Sequence, residues 1–560
     1  MKITDYKKLV DYTLGNKKSE LVLKDINILM VQSGEIIKSD LAIQDGYIVG
    51  IGEYSGEIEF DGSGKFVSPG FVDSHLHFES TMTNPNELVY HASLSGTTTF
   101  IADPHEAANV SGSIGIKYIL DSTENSCADV YIMMPSCVPA KDSEDSGFVM
   151  NAQDMKQLMY HPRILGLGEV MDCGSVINLK PSMLNKLELF QNMPIDGHAL
   201  GLKLKNLSAY AMANISSDHE CSTYEEAIAI VRNGLFAHIR EGSAAKNLEK
   251  IVKGIIENNT DTTRFTFCTD DKHIEDIKKD GHISFNIRKA ISLGMQPIAA
   301  YKIATYNPAQ CYSLKDIGMI SPGKKANLVI LDDLENVKIN SVLYNGRFIR
   351  EDYDYGYTQD IENLPKSIVE TVHVDWFEKS MLKVKNSTYG IQLVKNELLT
   401  KKVKVSEHTQ SKSNKVVVIE RHHDTKKYHS SMVFGYGIEN GAVASSVSHD
   451  SHNIIVVGDN DEDMMIALEC IKEMNGGYVL VENGKVYERL PLPIMGLISN
   501  LSSDKVNERL HRMIKKAHEM GVEAGIEPFI SLSFIALPVI PEVRITTNGL
   551  YDVVEDCYLD

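Results

Sequence analysis

The feature that most constrains the fold is a series of eight short apolar segments between residues 71 and 271, each followed by a stretch long enough for a helix. In chain order the segments are FVDSHLHFES, TTTFIADPHE, VYIMMPSCVP, RILGLGEVMD, PIDGHALG, ANISSDHE, GLFAHIREGS and RFTFCTDD. Alternating strands and helices predict a parallel sheet. Eight such units in roughly 250 residues are the size of a (β/α)8 barrel, whose active site lies at the carboxyl ends of the strands.

Residue types that bind metal ions stand at the ends of these segments. His75 and His77 end the first segment. Residues two apart in a strand share a face, so both imidazoles can reach one ion. The further candidates are Glu169 on the fourth segment, His198 on the fifth, His219 on the sixth and Asp270 on the eighth. The alternative is that these are scattered core or surface residues, but their order along a barrel favours one shared site.

Four histidines and two carboxylates suit two divalent ions in one site. Neutral imidazole and carboxylate bind Zn, Fe or Mn, whereas the lack of thiolates at the strand ends disfavours a structural zinc site. The expected arrangement places His75, His77 and Asp270 at one ion, His198 and His219 at the other, and Glu169 between them. Two adjacent ions lower the pKa of a shared water and hold it as hydroxide, and Asp270 is placed to take the proton of that hydroxide.

The composition of the chain indicates the cellular compartment and disfavours some classes of binding partner. The net charge of −20 argues against nucleic acid or an anionic membrane as partner. The amino terminus lacks the apolar core of a signal peptide, and no run of 18 uncharged apolar residues is present, so we expect no transmembrane helix. Eight irregularly spaced cysteines indicate reduced thiols in the cytoplasm. Cys137, Cys173 and Cys268 are better interpreted as small buried side chains than as reactive groups.

Strand-rich stretches flank the barrel on both sides. Residues 1–67 and 315–366 contain the hairpin signals Asp45-Gly46 and Asn345-Gly346, and the two flanks are expected to pair as one small β-sandwich. The barrel itself is predicted over residues 68–314. The acidic, irregular residues 351–366 indicate a linker, and residues 367–560 mix apolar strands with helix-like stretches, which predicts a separate α+β domain.

The order of these candidate ligands resembles the amidohydrolase superfamily. Within it, VDSHLHFESTM, ADPHEAANVSG, PSCVPA, GLGEVMD, DGHALGL, SSDHE, IREGSAAKNL and CTDD are similar to strings of the bacterial adenine deaminases. The strings VIERHH, GYGIENGAVASSVSHDSHNIIVVG and LPLPIMGLIS resemble the extra carboxyl-terminal domain of that family. The resemblance covers most of the chain, although the first seventy residues match only in general form.

The resemblance implies hydrolytic deamination of adenine to hypoxanthine and ammonia at two divalent ions, Mn or Fe, with Zn a weaker candidate. It also implies a homodimer or larger assembly and a role in purine salvage. In this family a glutamate bridges the ions instead of a carboxylated lysine. Glu169 in GLGEVMD fits that pattern. The alternative is another binuclear amidohydrolase that acts on a different aminopurine or a cyclic amide, because fold alone does not settle the substrate. A non-catalytic scaffold is disfavoured because all six ligands are present.

Deamination also needs groups that move protons, since C6 of adenine becomes electrophilic only when the ring is protonated at N1. Glu241 in IREGSA is the first choice for this acid. In that case Glu241→Gln would reduce turnover by orders of magnitude and leave the metal content intact. The alternative is that Glu241 forms an ion pair with Arg240. Asp271 is the second candidate for the acid–base group, or is merely solvated. His219 is expected to serve both as a ligand and in catalysis.

For three further sets of residues the sequence leaves more than one role open. Asp103 and His105 in ADPHE either orient the substrate or support the ligands, whereas the adjacent Glu106 suits a helix start. Ser136 and Cys137 either line the pocket or pack. The carboxyl-terminal domain carries His422, His423 and the pair His449 and His452. Their flanks are strand-like, so residues 449 and 452 are expected on opposite faces, without a separate metal site. Two roles stay open for this cluster: it helps to cover the barrel mouth, or it forms a structural network within its domain.

Overall fold

The computed structural model describes residues 2–243, 245–350, 361–384, 388–407 and 412–559. The amino-terminal flank consists of α1 (Ile3–Thr13), β1 (Ser19–Met30), β2 (Glu35–Gln44), β3 (Tyr47–Gly52), β4 (Gly56–Asp61) and β5 (Phe66–Pro69). Asp45 and Gly46, with φ of 50° and 78°, turn the chain between β2 and β3. Positive φ at both central residues is typical of a type I′ hairpin, so the predicted turn is confirmed.

Eight parallel strands form the barrel. They are β6 (Phe71–Leu76), β7 (Thr97–Ala102), β8 (Asp129–Met134), β9 (Ile164–Val170), β10 (Ile195–Gly197), β11 (Ser217–Asp218), β12 (Phe236–Arg240) and β13 (Phe265–Cys268). Hydrogen bonds join β6 through β10 in one sheet and β11 through β13 in another. The amide of Ser216 donates to Ile195 O at 2.8 Å, and the amide of Asp270 donates to His75 O at 2.9 Å, which closes the ring.

Burial explains why these segments are strands of a parallel sheet. Every residue of β6 and β7 is buried, as expected for strands covered on both faces. The surrounding helices are α2 (Pro85–Leu94), α3 (His105–Ser122, with a break at Gly112), α4 (Ala152–Met155), α5 (Cys173–Ile177), α6 (Pro181–Leu189), α7 (Leu204–Met212), α8 (Tyr224–Arg232), α9 (Leu248–Glu257), α10 (Ile274–Asp280), α11 (Ile283–Ser292), α12 (Pro297–Ala304) and α13 (Tyr306–Cys311). In α9, Leu248, Ile251, Val252 and Ile255 form one buried stripe at helical spacing.

The chain then returns to the amino-terminal sheet. β14 (Leu328–Asp333), β15 (Lys338–Tyr344) and β16 (Arg347–Phe348) extend it in the order β16-β15-β14-β5-β1-β2-β3, with β4 paired to β1. Asn345 and Gly346 form the second predicted turn, with φ of 48° and 75°. The two flanks therefore pair, and they do so within one eight-stranded sheet; the predicted β-sandwich stays a prediction. Most of the predicted linker, residues 351–360, lies outside the described residues.

The carboxyl-terminal domain packs onto the barrel. Its elements are α14 (Lys366–Val369), β17 (Tyr389–Leu393), β18 (Thr400–Lys404), β19 (Ser413–Ile419), β20 (Tyr428–Phe434), β21 (Gly441–Ser445), β22 (Ile454–Gly458), α15 (Asp461–Met474), β23 (Gly477–Glu482), β24 (Lys485–Pro491), α16 (Ser503–Glu519), α17 (Ile530–Phe534), β25 (Val543–Thr546), β26 (Gly549–Asp552) and β27 (Cys557–Leu559). Short 3-10 helices cover Glu79–Thr81, Ile361–Asn363, Lys379–Leu382 and Val405–Glu407.

Hydrogen bonding and packing join this domain to the barrel. Its main sheet has the order β18-β17-β20-β19-β22-β21-β23-β24, and β25 to β27 form a small separate sheet. The Glu87 carboxylate on α2 accepts from the amide of Ser503 at the start of α16, and Met82 O accepts from the amide of Ser499 at 2.8 Å. One continuous apolar core includes buried residues of both parts. No helix in the described ranges is long and apolar enough to cross a membrane.

Candidate metal centre and active site

The carboxyl ends of the barrel strands converge on one buried cluster. His75 is the penultimate residue of β6, and His77 comes directly after the strand. The Nε2 atoms of the two rings lie 3.1 Å apart. Asp270, two residues beyond β13, places Oδ1 3.6 Å from His75 Nε2 and 3.1 Å from His77 Nε2. The backbone bonds that close the barrel between β6 and β13 hold these three residues together.

Glu169, near the end of β9, is the centre of the cluster. One carboxylate oxygen lies 3.8 Å from His75, 3.5 Å from His77 and 3.3 Å from His105. The other lies 2.8 Å from His198 Nδ1 and 3.4 Å from His219 Nε2. Since each oxygen faces a different group of imidazoles, this carboxylate has the geometry of a bridge between two sites. The structure thus brings all six sequence-predicted ligands together.

The donor set fits divalent cations. His77 Nδ1 donates to the carbonyl of Asp103 at 2.7 Å, so the lone pair of its neutral ring lies on Nε2, which faces the carboxylates of Glu169 and Asp270. A lone pair facing two carboxylates is repulsive unless a proton or a metal cation lies between them. A second hydrogen bond that fixes the outward nitrogen is typical of histidines that bind metals. Groups of three donor atoms that include these residues lie within 4.8 Å of one another.

The electrostatics of the cluster favour positive charge at its centre. Burial opposes a charge on His219, but the carboxylate of Glu169 raises its pKa to about 9. Burial likewise opposes ionisation of Asp270, but the Arg240 guanidinium and His77 hold the pKa of that carboxyl well below its usual range. The carboxylates are therefore ionised and attract cations. The imidazole and carboxylate donors and this charge distribution together support a divalent metal site.

Two buried residues on the second barrel unit support Glu169. Asp103 Oδ2 accepts from the amide of Glu169 at 2.8 Å and so fixes the backbone behind the carboxylate. His105 is the first residue of α3, with Nδ1 facing Glu169 and Nε2 3.8 Å from Asp450 of the carboxyl-terminal domain. The structure therefore places Asp103 and His105 around the candidate ligands, which is one of the two roles the sequence left open.

Arg240 is a component of the site that the sequence did not single out. Its Nη1 lies 2.6 Å from Glu220 Oε1 and 2.6 Å from Asp270 Oδ2. The guanidinium therefore orients Asp270 and keeps it ionised. Its signal in the sequence is an arginine at the end of a barrel strand, next to Glu241.

Glu241, predicted as the acid near N1, does not reach the cavity. Its Oε1 accepts from Lys289 Nζ on α11 at 2.7 Å, and it is absent from the residues that line the cavity above the cluster. Neighbouring residues of a strand point to opposite sides, so Arg240 faces the site and Glu241 faces the helices. The structure also excludes the alternative pairing of Glu241 with Arg240, because Arg240 is bound to Glu220 and Asp270.

Glu241→Gln is expected to leave kcat within about threefold of the wild type, because Glu241 contacts neither the cavity nor the cluster. The change removes the buried charge partner of Lys289, which is expected to lower the free energy of unfolding by about 1–3 kcal/mol. Steady-state kinetics and thermal unfolding measure both. Glu249→Gln, which breaks the exposed pair with Lys253, is the matched control and should change neither. A loss of turnover by orders of magnitude with unchanged stability would restore the original assignment.

A cavity of about 150 Å³ lies above the cluster. Barrel residues form its floor, among them Glu106, Glu220, Arg240 and Asp271. Its roof comes from the carboxyl-terminal domain: Leu398, His449, Asp450, Phe534, Leu537, Val539 and Ile540. The domain therefore covers the barrel mouth, which is one of the two roles that the sequence left open. Burial and the neighbouring Asp270 raise the pKa of Asp271, whose Oδ1 accepts from Ser80 Oγ.

The prediction that His449 and His452 lie on opposite faces of a strand is wrong. β21 ends at Ser445 and β22 begins at Ile454, so both histidines are in the connecting loop. Their ring centroids are 5.7 Å apart, and His449 Nδ1 lies 2.9 Å from Glu106 Oε1. Glu106 is the second residue of α3, as the sequence suggested, but its carboxylate is also one wall of the cavity.

The remaining candidates pack or bond outside the cavity. Ser136 Oγ donates to the carbonyl of Glu169 at 2.6 Å, and Cys137 is buried behind it. His422 and His423 bond the backbone carbonyls of Ser451 and Ser146. All eight cysteines are unpaired, and all but Cys173 and Cys557 are buried, in line with the predicted reduced thiols.

Comparison with known proteins gives two matches to family models and several full-length relatives. Residues 66–349 match the amidohydrolase family, and residues 392–557 match the adenine deaminase C-terminal domain. A protein named adenine deaminase from Desulfitobacterium hafniense is 47% identical, covering 99% of this chain and 99% of that protein. One from Clostridium acetobutylicum is 43% identical over 98% of this chain and 99% of its own length. One from Bacillus subtilis is 37% identical over 96% of each chain.

Proposed function

The chain belongs to the adenine deaminase family of the amidohydrolases, and on that premise we propose that it hydrolyses adenine to hypoxanthine and ammonia at a pair of divalent metal ions. One observation carries the proposal: a family match over almost the whole chain coincides with six ligand-type residues, five of them buried and His198 half-buried, that meet at the ends of the barrel strands. The small roofed cavity above them suits a small-molecule substrate such as a purine base.

The proposed ligands are His75, His77, Glu169, His198, His219 and Asp270. Imidazole and carboxylate donors suit Zn, Fe and Mn alike, and we propose Mn or Fe, with Zn a weaker candidate, because the family resemblance implies them. A pair of divalent ions, when bound, lowers the pKa of water and so supplies a nucleophile at neutral pH. The predicted homodimer or larger assembly and the predicted cytoplasmic location stay predictions.

We assign the first proton transfer to Asp270. Arg240 and His77 keep its carboxyl ionised, so it can accept a proton from the water that attacks C6. The same carboxylic acid then returns the proton to the amine as the C6–N bond breaks and ammonia leaves. Arg240 limits the movement of Asp270 by holding Oδ2 at 2.6 Å while Oδ1 faces the histidines.

Four further residues around Glu169 and Asp270 position groups of the site. Asp103 holds the backbone of Glu169, and His105 Nδ1 lies 3.3 Å from its carboxylate. Glu220 is neutralised by Arg240. Asp271 is kept toward its neutral form by burial and by Asp270, which suits a hydrogen bond to a ring nitrogen. We therefore assign Asp271 to substrate orientation and leave proton acceptance to Asp270.

Ammonia release from adenine tests the proposal. Protein stripped of metal and reloaded with Mn²⁺ is assayed with adenine, adenosine, guanine and cytosine, and bound metal is measured in the same sample. Release of ammonia from adenine, with hypoxanthine formed in equal amount, is the expected result. If two ions were bound but no ammonia were released from adenine, the assignment as a binuclear hydrolase would stand and adenine would not be the substrate. A different aminopurine or a cyclic amide would then be the substrate to test.

A further inference from the structure

One residue from each domain meets in a buried ion pair above the metal cluster. Glu106 lies in the first turn of α3 of the barrel, and His449 lies in the loop between β21 and β22. Glu106 Oε1 and His449 Nδ1 are 2.9 Å apart. Both line the cavity above the cluster and also an adjoining compartment of about 330 Å³, so the pair lies at the passage between the two spaces.

The orientation of His449 leaves one ring nitrogen for a ligand. Nδ1 is used by Glu106, so Nε2 is the nitrogen that remains on a ring that lines both spaces. The centroid of the Phe534 ring lies 4.6 Å from that of His449 and limits its rotation. Glu106 is 2% exposed, and the His449 side chain is 15% exposed, so the pair is shielded from bulk water.

The nearby His452 does not turn this pair into a third metal site. A ring nitrogen of His452 lies within 4.8 Å of the Glu106 and His449 donor atoms. However, His452 Nδ1 accepts from the amide of Ser448 at 3.2 Å, so the proton of the neutral ring is on Nε2, and no lone pair is left to bind an ion. Nε2 is buried and has no partner among the described residues. His452 therefore offers a proton donor, not a ligand.

The charges around His449 favour its protonated form. Burial alone would lower the pKa of His449, but Glu106, Asp450 and Asp271 raise it to about 9. Burial opposes the charge on Glu106 too, but His449, His452 and His105 hold the pKa of its carboxyl far below its usual range. A carboxylate bonded to one ring nitrogen fixes the tautomer and stabilises the imidazolium, as in catalytic triads.

We propose that the Glu106–His449 pair is a second proton-transfer unit of the deamination, with His449 as the acid and Glu106 as its positioning residue. This inference rests on the proposed function. His449 Nε2 gives its proton to N1 of adenine while water adds to C6 and loses a proton to Asp270. Asp270 then protonates the amine, and ammonia leaves. The remaining hydroxyl proton of C6 returns to His449 as the carbonyl forms, so atoms and charges balance.

The assignment gives the carboxyl-terminal domain a chemical role beyond covering the cavity. It also supplies the acid that Glu241 cannot provide, from the opposite side of the cavity to the metal cluster. Because the pair is assembled only when the domains pack together, the barrel alone would lack this step.

The test compares His449→Gln, His449→Ala, Glu106→Gln and the double variant Glu106→Gln/His449→Gln with the wild type, each loaded with Mn²⁺. His373→Gln, an exposed histidine of the same domain, is the matched control. The wild type in the same assay reports on the proposed function alone. For each variant, kcat and KM for adenine, bound metal and thermal unfolding are measured, and His449→Ala is also assayed with added imidazole.

We expect His449→Gln to lower kcat about 10²–10³-fold with KM within about threefold and the metal content unchanged, the range of general acid–base catalysis. Glu106→Gln should lower kcat, and the double variant should lose no more than His449→Gln alone. Imidazole should restore part of the activity of His449→Ala. Three results would each overturn the proposal. The first is turnover of His449→Gln within threefold of the wild type, and the second is additive losses in the double variant without rescue by imidazole. The third is a third bound metal ion in the wild type that the His449 variants lose.

Discussion

Glu169→Gln is expected to lower kcat for adenine by at least about 10³-fold and to reduce the bound metal below two ions per chain. The two oxygens of Glu169 face five histidines, and a neutral amide offers only one good acceptor in place of two charged oxygens. Loss of the ions removes several kcal/mol of transition-state stabilisation, and about 1.4 kcal/mol corresponds to tenfold in rate. Steady-state kinetics and elemental analysis of the purified variant measure both effects.

Glu188→Gln is the control for that experiment, because Glu188 is an exposed residue of α6 in the same barrel unit. It should retain wild-type turnover and two ions. If Glu169→Gln bound two ions and turned over adenine within tenfold of the wild type, Glu169 would not be the bridging ligand. The cluster would then be a buried polar network of the barrel.

The second large effect is expected for Asp270→Asn, with kcat lowered about 10²–10⁴-fold because an amide cannot accept the proton of the attacking water. The change also removes the charge that pairs with Arg240 at 2.6 Å, so Arg240 keeps only Glu220. Kinetics with adenine, at measured metal content, separate the loss of the base from the loss of an ion.

Asp121→Asn, on the exposed surface of α3, supplies the matched control, since its carboxylate forms a solvent-exposed ion pair with Lys117. It should be indistinguishable from the wild type. Asp270→Asn with full metal content and turnover near the wild-type value would assign proton acceptance elsewhere, and Asp271 would be the next residue to replace.

The sequence predicted the parts of the site that depend on strand order. His75, His77, Glu169, His198 and His219 each follow a short apolar run, and in a parallel barrel all such ends meet at one face. The two hairpin turns of the flanking sheet could also be predicted from local sequence. Asp45-Gly46 and Asn345-Gly346 specify each turn by their own conformational preference. Both features are set by residues close together in the chain.

The errors concern side-chain direction and long-range packing. Whether Arg240 or Glu241 faces the cavity depends on where β12 ends, and a shift of one residue exchanges the two faces. His449, Asp450 and Phe534 reach the site only because the carboxyl-terminal domain packs on the barrel more than 300 positions after His75. No local pattern in HDSH predicts that contact. The strand-like residues on both sides of HDSH predicted a strand where the structure has a loop.

Titration of metal-free protein with Mn²⁺, with adenine turnover and bound metal measured at every step, tests the central claim most directly. The account predicts that turnover is absent without metal and rises until two ions are bound per chain. Full turnover with one ion, or turnover in protein shown to contain none, would contradict a binuclear centre built from the ends of the barrel strands.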